Sequence, residues 1–129
     1  MAAAIRRLSM GNPFCWVELT TSNLEEAKQF YTGLFKWQLE PFAGAKLPYF
    51  FVHTGTPPTG GMMPLPGPGV PTAWTMYVEV EDLSETCEKL KRLGGNVLKP
   101  KASVPGMGWY AVVSDPQGAV FGLWQQRKE

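Results

Sequence analysis

Asn23-Leu24-Glu25-Glu26 recurs as Asp82-Leu83-Ser84-Glu85, 59 residues further on, and this repeat decides the fold. The same offset carries Leu34 onto Leu93 and Leu39-Glu40-Pro41 onto Leu98-Lys99-Pro100. It also carries Ala43 onto Ala102, Phe50-Phe51 onto Trp109-Tyr110, and Pro57 onto Pro116. Seven of these pairs are identities, and no gap is needed. They fall at helix starts, strand ends and turns. The chain therefore reads as a duplicated module, with a shared site where the copies face each other.

Each copy reads strand, helix, then three strands. Phe14 to Leu19 alternates in the β manner. Ser22 and Glu25 have the spacing of a capping box. Leu24, Ala27, Phe30, Tyr31 and Leu34 then recur with a helical period. Trp37–Phe42, Pro48–Thr54 and Gly60–Leu65 read as strands. In the second copy Trp74–Val80 is a strand and Asp82 starts a helix burying Leu83, Thr86, Leu90 and Leu93. Gly94-Gly95 ends it, because glycine accepts the left-handed backbone of a C-cap. Asn96–Lys99, Trp109–Ser114 and Ala119–Gln125 are strands, with a turn at Asp115-Pro116-Gln117-Gly118. Residues 1–10 read as an N-terminal extension and 11–127 as one domain. Within it, module 1 spans about 11–66, a Pro/Gly linker 66–72, and module 2 about 73–127.

Composition narrows the function. Of 129 residues 44% are hydrophobic and 18% charged, and the net charge is +1, as in a globular domain that buries a core. No basic excess points to nucleic acid. No apolar run reaches the roughly 20 residues that cross a bilayer, and the start lacks a signal peptide's apolar region and cleavage site. A cytoplasmic location is expected, with no nucleic-acid or membrane partner. Cys15 and Cys87 fit neither a CxxC nor a zinc pattern and read as reduced, mostly buried thiols.

Strand parity sorts the side chains, because alternate residues face opposite sides. Cys15, Val17 and Leu19 suit packing beneath a helix, as do Trp74, Met76, Val78 and Val80, and Ala119, Phe121 and Leu123. The other face then carries Phe14, Trp16 and Glu18; Thr75, Tyr77 and Glu79; and Val120, Gly122 and Trp124. It is aromatic, with two carboxylates near its edge.

The first strand leading into LTTSNLEEAKQFYTGLFKW, the segment YVEVEDL…LGGNV and the ending VPGMGWYAVVSDPQGAVFGLW together resemble the vicinal oxygen chelate superfamily of glyoxalases, bleomycin-resistance proteins and dioxygenases. The resemblance covers about residues 12–126. It implies an α+β fold, in which two βαβββ modules form a curved eight-stranded mixed sheet with the helices outside. A ligand would sit in the hollow, and two chains would pair as a homodimer. The family's metal enzymes take one ligand from the first and one from the last strand of each module. The matching positions here are Trp16, Thr75, Gly122 and a residue between Gly61 and Met63. None supplies a usual metal ligand, so neither metal nor cofactor is expected.

The expected ligand-binding residues are Phe14, Trp16, Glu18, Thr75, Tyr77, Glu79, Trp109, Gly122 and Trp124. The aromatic ones could equally fill the hollow or pack at an interface. Glu18, Glu79 and the single histidine, His53, are the candidate acid–base groups; plain rim carboxylates and an exposed strand histidine are the competing readings. Val104-Pro105-Gly106-Met107-Gly108 reads as a loop over the mouth of the hollow. The leading expectation is metal-independent binding of a small apolar or aromatic molecule. The alternative is a lyase- or isomerase-type enzyme with a non-standard or absent metal site.

Overall fold

The computed structural model describes residues 11–56 and 60–128, so the expected extension at 1–10 lies outside the described residues. Module 1 comprises β1 (Phe14–Thr21), α1 (Leu24–Leu34), β2 (Gln38–Pro41), β3 (Phe50–His53) and β4 (Gly60–Pro64). Module 2 comprises β5 (Ala73–Glu79), α2 (Leu83–Arg92), β6 (Asn96–Val104), β7 (Gly108–Ser114) and β8 (Val120–Gln126). The strands form one mixed sheet in the order β2-β3-β4-β1-β5-β8-β7-β6. This is the α+β double βαβββ architecture expected from the repeat.

Strands β1 and β5 pair antiparallel and join the modules. Val17 lies directly opposite Met76, its own counterpart in the repeat, so an approximate twofold axis passes through this pair. Within each module the first and last strands run parallel, β1 beside β4 and β5 beside β8.

Both helices cover one face. Leu24, Ala27 and Tyr31 of α1 pack over Leu19, Val52 and Met62. Leu83 and Cys87 of α2 close over Val80, Ala111, Val113 and Leu123. The capping box lies one residue later than the sequence spacing predicts: Asn23, not Ser22, caps α1, accepting from the Glu26 N–H at 3.0 Å while its amide donates to Glu26 Oε2 at 3.2 Å. Asp82 caps α2 through the Glu85 N–H. Leu93, expected on the buried face, is instead 69% exposed, because the helix has ended there and Gly94 turns the chain at φ +95°.

Strand β6 runs five residues past its expected end, through Pro100. It is an edge strand with irregular register, and an edge tolerates a residue that cannot donate to the ladder. Among the described residues no helix is long and apolar enough to cross a membrane.

Candidate functional site

Glu18 lies on the face opposite the helices, beside the junction of the modules. Only 6% of it is exposed. Tyr77 Oη donates to Glu18 Oε1 at 2.8 Å, and Tyr49 Oη donates to Oε2 at 2.7 Å. The indole Nε1–H of Trp16 donates to Tyr49 Oη at 2.9 Å. A directed chain thus runs from indole to phenol to carboxyl, with a second phenol closing it from the other module.

Two glycines make room for this cluster. Gly61 lies opposite Glu18 in the β1–β4 register, and Gly122 opposite Tyr77 in the β5–β8 register. A Cβ at Gly61 would run into Tyr49 Oη, and one at Gly122 into the Tyr77 ring. The phenols therefore occupy the space that side chains at these positions would need. The register also identifies Gly61 as the first module's counterpart of Gly122.

Burial raises the pKa of Glu18, and the two tyrosine hydrogen bonds offset this only in part. Tyr49 and Tyr77 are pushed well above the ordinary phenol range, first by burial and then by the charge of Glu18. Tyr110 is raised for the same two reasons. The tyrosines accordingly remain neutral donors at physiological pH.

Above the cluster lies a cavity of about 1160 Å³. Trp16, Phe51, Tyr110 and Trp124 are among its apolar walls, and Glu18, Tyr49 and Tyr77 lie in its lining. Residues 45–47 and 105–107 line it from two connecting segments. The expected loop at 104–108 is a tight hairpin turn, with the Met107 N–H bonded to Val104 O at 3.0 Å and Gly106 at φ +78°.

The residues predicted from sequence divide between the two faces. Trp16, Glu18, Tyr77, Glu79 and Trp124 line the hollow. Thr75 is buried opposite Glu18 in the β1–β5 register, outside the lining, and Gly122 acts by admitting the Tyr77 ring. Phe14 is 71% exposed and outside the lining, because a bulge between Phe14 and Trp16 breaks the alternation. The bulge brings Cys15, expected beneath the helix, into the hollow wall. Burial, with the charge of Glu79 adding, pushes the Cys15 thiol up to about 11.

Trp109 packs against the α2 core, so its neighbour Tyr110 faces the hollow instead. Pairing Ala111 with the core residue Leu123 and Tyr110 with Trp124 fixes that parity. His53 bonds to Glu40 at 2.7 Å on the β2–β3 pair and stands outside the hollow. Tyr49 carried no sequence signal: it precedes β3 and pairs with a residue 31 positions away.

This geometry can hold a flat apolar guest and offer it a hydrogen-bonded carboxyl. It does not suit a divalent cation. Of Trp16, Thr75, Gly61 and Gly122, only the Thr75 hydroxyl carries a side-chain oxygen, and tyrosines fill the space over both glycines. A catalytic metal normally takes about three protein N, O or S ligands.

Comparison with known proteins agrees with the fold. Residues 14–123 match the model of the Glyoxalase/Bleomycin resistance protein/Dioxygenase superfamily. The protein named "Putative glyoxylase CFP32" from Mycobacterium tuberculosis is 39% identical over 111 residues, covering 84% of this chain and 42% of that protein. "Anthracycline biosynthesis protein DnrV" from Streptomyces peucetius is 29% identical over 136 residues, covering 93% of this chain and 49% of that protein. The chain thus spans less than half the length of these curated relatives. Among solved structures, a superfamily member from Vibrio splendidus 12B01 superposes with a TM-score of 0.59 at 9% identity, covering 89% of this chain and 99% of that one.

Proposed function

The chain belongs to the glyoxalase/bleomycin resistance protein/dioxygenase superfamily, and on that premise we propose that its hollow binds a small apolar or aromatic molecule without a metal ion. One observation carries the reading. The rings of Tyr49 and Tyr77 fill the space over Gly61 and Gly122, and their hydroxyls converge on Glu18. What remains above them is an aromatic-walled cavity, the usual form of a small-molecule pocket with a few polar groups to orient its guest.

The test is a panel of small aromatic compounds screened by thermal shift against the wild type, Trp16→Ala and Trp124→Ala, with the metal content measured on the same preparation. Hits weakened by both substitutions, in protein holding far less than one metal per chain, support the reading. Hits that survive both, or about one bound metal per chain that chelation removes along with binding, overturn it.

A lyase or isomerase reaction at the same site is the second reading. Glu18 favours it, as a buried carboxyl facing the cavity with its geometry fixed by two phenols, because perturbed acids in clefts are often catalytic. Turnover of a bound compound that Glu18→Gln abolishes while binding persists would establish it.

Self-association also belongs to the proposal. On the helix-bearing face Val17 and Met76 are 44% and 41% exposed, and Phe14 and Trp74 lie beside them. Large exposed apolar residues clustered on one face mark contact surfaces. The approximate twofold axis through Val17 and Met76 gives this face matching halves, which suits a second copy of the chain.

A further inference from the structure

We infer that the molecule taken by this hollow is an amphipathic acid, its apolar rings lying inward against the aromatic walls and its anionic group held at the mouth by Lys46 and Lys99. The inference rests on the binding reading above and names the chemical class of the guest. Four cations, Lys46, Lys99, Arg127 and Lys128, belong to the lining, against two carboxylates, Glu18 and Glu79. This is no reflection of the whole chain, in which 12 basic residues nearly balance 11 acidic ones.

Among the described residues none of the four cations lies within 4.0 Å of a carboxylate, whereas Lys28 and Lys91 on the helices each pair with a glutamate. The Arg127 guanidinium rests 5.8 Å from the Trp109 ring centroid, on the α2 side of the sheet, which leaves the lysines as the cations of the mouth. Glu18 lies on the floor rather than among these cations, buried where the two tyrosines donate to it.

The cations come from different parts of the chain. Lys46 stands in the β2–β3 connection and Lys99 on the edge strand β6. Positive groups around an apolar cleft of low dielectric raise the local concentration of anions and orient them on entry. The floor has the opposite polarity, with a carboxyl group and no cation. Polarity therefore points the acidic end outward and leaves Glu18 to accept from a hydroxyl or amine on the inner end. A cavity of about 1160 Å³ has room for a molecule of two or more rings.

The experiment compares 2-naphthoate with 2-naphthalenemethanol, matched in their rings and differing in charge, by calorimetry at low and high salt. The proteins are wild type and a Lys46→Ala/Lys99→Ala double variant, whose exposed or half-buried side chains make no ion pair to lose. The expected result is roughly tenfold tighter binding of the acid at low salt, with the preference shrinking severalfold at high salt and in the double variant. Equal binding of alcohol and acid, or a preference that survives both salt and substitution, overturns this inference and leaves the binding reading standing. Binding of neither probe, or of none of their larger ring homologues, overturns both.

Discussion

Gly122 leaves open the space that the Tyr77 ring occupies, so a Cβ there would lie against the ring. The ring cannot step aside easily, because its hydroxyl is tied to Glu18 and its backbone belongs to a central strand. Gly122→Ala should therefore destabilise the fold by about 1–3 kcal/mol, the range for overpacking a filled interior. Gly33→Ala, in α1 with open space at the Cβ position, should instead add up to about 1 kcal/mol. Urea denaturation of the two variants checks the contrast.

Glu18 sets a pH dependence. Its pKa in the folded protein is raised by burial above the ordinary 4.5. Ionisation therefore costs the folded state more than the unfolded one, and this group's contribution to stability falls as pH rises from about 4.5 through the folded value. Glu18→Gln never ionises and keeps an acceptor for one phenol. Its melting temperature relative to wild type should rise between about pH 4 and about pH 8, by about 4 °C if the difference is about 1 kcal/mol. A change of the opposite sign would mean that the two phenol bonds outweigh burial.

Three of the four tyrosines are raised above the ordinary phenol range, Tyr49, Tyr77 and Tyr110. Ultraviolet titration of the folded protein to about pH 11 should yield well under half of the total phenolate absorbance. The remainder should appear in step with loss of the circular dichroism signal. Tyr49→Phe should remove part of that late step alone.

Light scattering at micromolar concentration should report a mass near twice 14.3 kDa. Val17→Glu and Met76→Glu place a charge at the centre of the exposed face without entering the core, since both residues are more than two-fifths exposed. Each should shift the mass to that of one chain while the melting transition stays cooperative. A monomeric wild type would remove this part of the proposal.

The repeat made the architecture legible. The 59-residue offset aligned both helices and gave each module its strand order, whereas the antiparallel pair centred on Val17 and Met76 that joins the modules is visible only in the structure. Alternation then placed Trp16, Glu18, Tyr77 and Trp124 on the correct face. It failed at Phe14 and Cys15 because a bulge adds one unpaired residue, and nothing local in the sequence announces it. Trp109 was misplaced because two adjacent aromatics suit either parity until the neighbouring strand is aligned. Tyr49 was missed because its role depends on a partner 31 residues away and on a glycine that admits its hydroxyl. Both are properties of packing rather than of pattern.

Glu18 and Tyr77 are the same position in the two repeats, 59 residues apart, and they bond to each other across the junction. Two identical copies of either module, related by a true twofold, would set like against like at this point. One arrangement would confront two buried carboxyls, whose charges repel, and the other two phenols. Joining the modules in one chain frees each half to mutate without its mirror image, so an acceptor can meet a donor. The asymmetry at the centre of this sheet is therefore something that covalent fusion permits and a symmetric pair of single modules could not reach.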